Sequence, residues 1–229
     1  MGAVHTGIPR EMAVAIGAML ELADFVEGGT HHGITAAWAA ASFERVTSIE
    51  RSPTLYSMAQ AACGHLRNVD LRLGDTRTVL PALVSSLTRP AMFWLDSHWS
   101  GPGTAGEDAE CPLVAEISAI RGSDLDHVIL VDDARYFLAP PPPPHDWRAW
   151  PSLGEVLRLL GAPERCWTFV LDDVLFALPS ASRARLAPVL QLRAAGDAAT
   201  LAERLAARKP GRARAMVERL AGPFRAKRS

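Results

Sequence analysis

The stretch Asp24-Phe25-Val26-Glu27-Gly28-Gly29-Thr30-His31-His32-Gly33 decides the fold. A short apolar strand runs into a glycine-rich turn, and helical spacing follows from Ile34 to Phe43. A second strand, Arg45 to Ile49, then ends on Glu50 and Arg51. Strand, glycine turn, helix and strand make a βαβ unit of the kind that holds a nucleoside-bearing cofactor. The glycines let backbone approach the ligand, and the carboxylate accepts from ribose hydroxyls. The spacing Glu27-x-Gly29-x-x-x-Gly33 is not the G-x-G-x-x-G of a dinucleotide site. The acid before the glycines is placed to pair with an ammonium group. A tight strand-to-helix turn with incidental acids gives the same pattern.

Outward from this unit the chain keeps alternating. Helices are expected at Pro53 to Leu66, Thr76 to Leu87, Pro112 to Ile120 and Leu153 to Leu160. Strands are expected at Val69 to Leu73, Ala91 to Leu95 and His127 to Val131. Such alternation implies right-handed crossovers and a parallel sheet covered on both faces. The runs Trp167 to Leu171 and Val174 to Leu178 break the rule, because only Asp172-Asp173 separates them and a hairpin must join them. The expected fold is therefore α/β, a Rossmann-like doubly wound seven-stranded sheet, mostly parallel, with one antiparallel strand from a C-terminal hairpin. Residues 1–180 are read as one domain with an N-terminal helix inside 1–23. Residues 181–229 are read as a helical extension, with helices at Leu201 to Ala207 and Ala213 to Leu220.

Length and composition agree with a folded domain. The chain has 229 residues, 48% hydrophobic and 21% charged, enough to bury a full core. No apolar run is long enough to cross a bilayer, and the N-terminal stretch lacks signal-peptide architecture, which predicts no export. Cys63, Cys111 and Cys166 are too scattered for a metal knot or a disulfide framework, which fits a reducing cytoplasm. Charge is uneven. Ala181 to Ser229 holds 12 Arg+Lys against 3 Asp+Glu, and the remainder is acidic. Such a tail can touch nucleic acid or anionic lipid, but a solvated arginine-rich helix is the plainer reading, since only Phe224 interleaves aromatic character.

Three strand ends carry the chemistry. Gly74-Asp75-Thr76 follows the third strand, where Asp75 can contact an adenine amine or cap the next helix. Asp96 ends the fourth strand, and Asp132-Asp133 end the fifth. In a parallel sheet these ends open on the same edge as the glycine turn. Clustered carboxylates are relieved by a cation or a proton, and hard oxygen ligands suit magnesium. His98, just past Asp96, is a candidate general base for a substrate hydroxyl. Each acid also has a bland reading, as a cap, an ion-pair partner or a solvated loop residue. The long links Ser97 to Glu110 and Ala134 to Trp150 leave this edge, where loops serve as lids or substrate walls.

In this order the motifs Glu27-x-Gly29-x-x-x-Gly33, Glu50, Gly74-Asp75, Asp96 and Asp132-Asp133, with the closing hairpin, resemble class I S-adenosylmethionine-dependent methyltransferases. Within that class they are similar to cation-dependent O-methyltransferases of the catechol and macrolide-sugar types. The resemblance covers residues 20 to 180. It implies a cofactor site of Glu27, Gly28, Gly29, Thr30 and Gly33 at the methionine end. Glu50 and Arg51 would lie at the ribose, Gly74, Asp75 and Thr76 towards the adenine, and Asp96 beside the reacting centre. It implies Mg2+ on Asp96, Asp132 and Asp133, with His98 and Asp96 catalytic. The sequence departs where the catechol enzymes carry a lysine after the fourth-strand acid. Here Ser97-His98-Trp99 stands, and Asp133 replaces an asparagine. The implied activity is metal-assisted O-methylation of a small-molecule hydroxyl, on a sugar or secondary metabolite. A homodimer is allowed and no membrane partner is expected. The alternatives are a nucleic-acid-modifying protein that uses the tail, and a catalytically silent cofactor binder.

Overall fold

The computed structural model describes residues 7–194. It divides into two compact units, one built on Leu22–Ser180 and one joining Pro9–Glu21 to the segment from Ala181. In the second unit, helix α1 (Arg10–Leu20) buries Met12, Val14, Ile16 and Met19. The Arg185 guanidinium of α8 (Arg183–Ala194) donates to the Met19 carbonyl oxygen. The sequence reading counted the N-terminal helix with the first domain. Contacts group helix α1 with the segment from Ala181. The helices expected at 201–207 and 213–220, and most of the basic tail, lie outside the described residues.

The first unit is a seven-stranded sheet in the order β3-β2-β1-β4-β5-β7-β6. Its strands are β1 (Asp24–Gly28), β2 (Arg45–Glu50), β3 (Val69–Leu73), β4 (Ala91–Leu95), β5 (Val128–Val131), β6 (Cys166–Leu171) and β7 (Val174–Pro179). Strands β1 to β5 pair in parallel, and β7 runs antiparallel to both β5 and β6. The hairpin needs left-handed backbone at both Asp172 (φ 52°) and Asp173 (φ 63°), a demand that aspartate tolerates better than most residues.

Helices α2 (Ile34–Ala40), α3 (Pro53–Cys63), α4 (Thr76–Ser86), α5 (Leu113–Arg121) and α7 (Leu153–Leu160) supply the crossovers. A one-turn helix, α6 (Arg135–Leu138), lies inside the long link after β5. Strand alternation divides the core. Val26, Phe93, Ile129 and Ala177 share one apolar cluster with Leu83, Ile117 and Val156. Phe25 instead meets Phe43 at 5.0 Å and Trp38 at 6.0 Å between ring centres. The chain leaves α2 at Ala40, short of the expected Phe43, and Phe43 then packs on Phe25.

The registers set the site. Gly28 pairs with both Ile49 and Leu95, and Leu95 pairs with Val131. The next residues, Gly29, Glu50, Asp96 and Asp132, therefore stand level along one edge. The order reverses at β1, between β2 and β4, and open α/β sheets bind ligands at such a switch point.

Candidate active site

A cavity of about 210 Å³ opens at this edge, walled by Gly29, Glu50, Gly74-Asp75-Thr76, Asp96 and His98, and by the link after β4. Gly29 (φ 87°) admits no side chain, since a Cβ there would stand 2.1 Å from the Asp96 carbonyl oxygen. The turn is braced beneath by hydroxyls. Ser48 Oγ donates to Glu27 Oε2 at 2.5 Å, and Thr30 Oγ1 lies 2.6 Å from Ser48 Oγ. Glu27 is 1% exposed. Burial pushes its carboxyl up to about 8, against the pull of the Ser48 and Thr35 hydroxyls, and the nearby Glu50 charge adds to the rise.

Glu50 ends β2 with both oxygens occupied by backbone. Oε2 accepts from the His31 N–H at 2.8 Å and Oε1 from the Ser52 N–H at 2.8 Å. It thereby pins the glycine turn to the start of α3, and each carboxylate oxygen retains a lone pair for a ligand. Asp75 caps α4 by accepting from the Arg77 N–H at 2.9 Å. It also pairs with Arg77 at 2.6 Å and lies 3.5 Å from Arg51. The bond to Arg77, helped by its N–H and by the Arg51 charge, holds the Asp75 carboxyl below its ordinary range although burial opposes this. Both readings of Asp75 therefore meet at one residue: it is a cap, and it lines the cavity.

The acids divide into two groups. Asp96 and Asp132 stand on neighbouring strand ends one residue beyond the Leu95–Val131 pair. Burial, then the charges of Asp132, Asp133 and Glu27, drive the Asp96 carboxyl well above its ordinary value. Burial and Asp133 raise Asp132 to about 6. Asp133 differs. Its left-handed backbone (φ 54°) turns its carboxylate to His98 Nε2 at 3.1 Å and Arg135 Nη1 at 2.6 Å. Burial works against its charge, but these two partners outweigh it and hold the group low. His98 Nδ1 faces Asp96 at 3.8 Å.

This donor set does not fit an ion held by three carboxylates. Asp133, expected as a ligand, is committed to His98 and Arg135, and Asp132 Oδ1 accepts the Asp133 N–H at 2.8 Å. Among the described residues no group of three His, Cys, Asp or Glu side chains is arranged to hold a metal. What remains is the Asp96–Asp132 pair, whose raised values allow it to share a proton.

Sequence reasoning missed several residues here. Glu116 on α5 is 1% exposed and bonds to Ser97 beneath the cavity. Burial raises its carboxyl, and the Ser97 and Thr76 hydroxyls temper the rise. It was legible, because it shares the helix face of Leu113, Ile117 and Ile120, where an acid is out of place. Arg135 could not be found this way, since its partners Asp133 and Asp173 meet only through the β5–β7 pairing. Glu110, His145 and Trp150 also gave no signal. His145 and Trp150 form a ring cluster with His98, Trp99 and Tyr136, where Trp150 lies 5.3 Å from His98 and 5.2 Å from Tyr136 between ring centres, and the Glu110 carboxylate bonds to both.

The fold is that of class I S-adenosylmethionine-dependent methyltransferases. The O-methyltransferase TomG from Streptomyces achromogenes, solved with S-adenosylmethionine, superposes with a TM-score of 0.52 at 18% identity over 77% of this chain and 82% of that one. The O-methyltransferase from Bacillus cereus, solved with S-adenosylhomocysteine, gives 0.51 at 15% identity over 76% and 83%. The Podospora anserina methyltransferase PaMTH1 gives 0.50 at 16% over 74% and 77%. No protein-family model matches the sequence, and no curated protein is significantly similar to it. Among the described residues no helix is long and apolar enough to cross a membrane.

Proposed function

We propose that this protein is an S-adenosylmethionine-dependent methyltransferase acting on a hydroxyl of a small-molecule acceptor. One observation carries the reading. The switch-point cavity brings the glycine turn, Glu50 and Gly74-Asp75 together with Asp96 and His98. The first group suits an adenosyl cofactor, and the second suits proton removal from an acceptor. The neighbours solved with S-adenosylmethionine or S-adenosylhomocysteine support it. When bound, S-adenosylmethionine supplies a methyl group on a sulfonium, whose transfer to oxygen breaks the C–S bond and leaves S-adenosylhomocysteine.

The chain's own groups then have distinct tasks. Gly29 lets the backbone close on the ligand, Gly33 lets the start of α2 lie against Ala59 and Cys63 of α3, and Glu27, buried beneath the turn, would supply negative charge towards the ammonium group. Glu50, with Arg51 beside it, and Asp75 bound the nucleoside side. His98 takes the hydroxyl proton on Nδ1. Asp133 accepts from the other ring nitrogen and stabilises the imidazolium, as a carboxylate orients any catalytic histidine. Asp96 and Asp132 hold negative potential beside the reacting centre. Positioning supplies much of the remaining acceleration.

No step is assigned to magnesium, because Asp133 is engaged by His98 and Arg135. Assay in a chelator tests this: retained turnover supports it, and loss restored by magnesium overturns it in favour of an ion on Asp96 and Asp132. The function as a whole is tested by calorimetry with S-adenosylhomocysteine, followed by methyl transfer to a panel of hydroxylated small molecules. Binding with transfer that His98→Ala abolishes supports the reading. Absence of binding overturns it, and binding without transfer to any acceptor favours a silent cofactor binder.

A further inference from the structure

We propose that Glu110 is a positioning residue that ties segment 139–150 to the cofactor side, so that filling the cavity orders the acceptor side. The inference rests on the reading of the cavity as a cofactor site.

The link after β4 forms one wall of that cavity through Ser100, Thr104, Gly106 and Ala109. Near its end, two carboxylates reach in opposite directions. Asp108 Oδ2 accepts from Arg51 Nη2 at 2.9 Å, and Arg51 itself lines the cavity. Glu110 turns away and is buried, at 6% exposure. Its Oε1 accepts from the Asp146 N–H at 2.9 Å, and its Oε2 accepts from Trp150 Nε1 at 2.9 Å and lies 3.2 Å from His145 Nδ1. Its own carbonyl accepts from the Trp99 N–H at 2.7 Å.

One carboxylate therefore gathers three positions of the second link, and the Trp150 ring that it holds packs on His98. The cavity lining runs from Gly29 to Pro112, so segment 139–150 stands outside it. The first link, which holds both His98 and Glu110, connects a ligand in the cavity to that segment. A buried carboxylate is costly unless it is fully bonded. Here burial opposes the charge, but the Asp146 N–H, Trp150 and His145 outweigh it, so removing Glu110 leaves three donors without their acceptor.

The test is hydrogen exchange read by mass spectrometry on the full chain, with and without S-adenosylhomocysteine, after calorimetry has measured its binding. In the unaltered protein the ligand should slow exchange by about threefold or more in both 97–112 and 139–150, the second read at Ala139 and at 145–150 because Pro140 to Pro144 carry no amide hydrogen. Glu110→Ala should keep the first effect and the affinity but lose the second. Glu110→Gln retains one acceptor and should regain part of it. Unchanged exchange at 139–150 in the unaltered protein, with 97–112 protected, overturns the proposal. So does a Glu110→Ala variant that loosens 139–150 equally in both states, which is what a plain structural brace would do. Should Glu110→Ala not fold, Trp150→Phe keeps the ring and deletes one donor. Partial loss of ligand-dependent protection then supports the proposal, and full retention overturns it. Failure of S-adenosylhomocysteine to bind at the calorimetry step overturns the cofactor reading itself, and the coupling with it.

Discussion

Ser48 Oγ donates to Glu27 Oε2 at 2.5 Å across the in-register Glu27–Ser48 pair of β2 and β1. The carboxyl is buried beneath the glycine turn, and at neutral pH it keeps its proton, because burial has raised it to about 8. In the unfolded chain it ionises near the ordinary glutamate value of about 4.3.

A pH dependence with a definite sign follows. Between those two values the folded state holds a proton that the unfolded state has lost. Glu27 therefore contributes stability at low pH that is lost as pH rises towards about 8. The slope from this one group is at most about 1.4 kcal/mol per pH unit. Glu27→Gln cannot ionise, so denaturation between pH 5 and 9 should show it gaining on the unaltered protein as pH rises. Parallel curves would mean that Glu27 is ionised in the folded protein.

The same group links cofactor binding to protons. An ammonium group beside Glu27 favours its ionised form, so binding at pH 7 should release a proton and tighten as pH approaches about 8. Calorimetry of S-adenosylhomocysteine in two buffers of different ionisation enthalpy measures the release. Glu27→Gln should abolish it and weaken binding by about tenfold, the loss of roughly 1.4 kcal/mol.

Gly29→Ala places a Cβ 2.1 Å from the Asp96 carbonyl oxygen, on backbone with φ 87°. The strand ends must part to receive it. Denaturant unfolding should show a loss of about 2–4 kcal/mol, with cofactor affinity falling as well. Gly101→Ala is the control. It also has positive φ, at 109°, but a Cβ there meets nothing within 4 Å, so its loss should be the smaller.

Glu116 separates shape from charge. Its raised carboxyl is held by Ser97 and Thr76 beneath the cavity, so Glu116→Gln keeps volume and hydrogen bonding and should change stability by less than about 1 kcal/mol. Glu116→Ala leaves a hole and two hydroxyls without their acceptor, a loss of about 2–4 kcal/mol in thermal or chemical unfolding. Equal losses in the two variants would overturn this expectation.

Much of the fold was legible because its signals are local. Glycine spacing, the proline that starts α3 and the Asp172-Asp173 link each act within a few residues. The strand-to-helix alternation then leaves few topologies. The site was legible only in part. Asp96 and Asp132 could be placed at the correct edge, since parallel strands must end together. Asp133 could not be separated from them, because a left-handed turn and a distant arginine set its direction.

The sequence by itself determined the seven-stranded α/β fold, the edge of the sheet at which the strand-end residues gather and the residue types that stand there. Only the tertiary structure decided how those residues share their charge. It gave Asp133 to His98 and Arg135, left Asp96 facing Asp132, and turned Glu110 towards Trp150 rather than solvent. The physical reason is range. Backbone propensity and strand order act between neighbours and can be read in line. Burial, proton sharing and ion pairing depend on which side chains meet across dozens of residues, and a pair such as Glu110 and Trp150 exists only once both links have folded over the sheet.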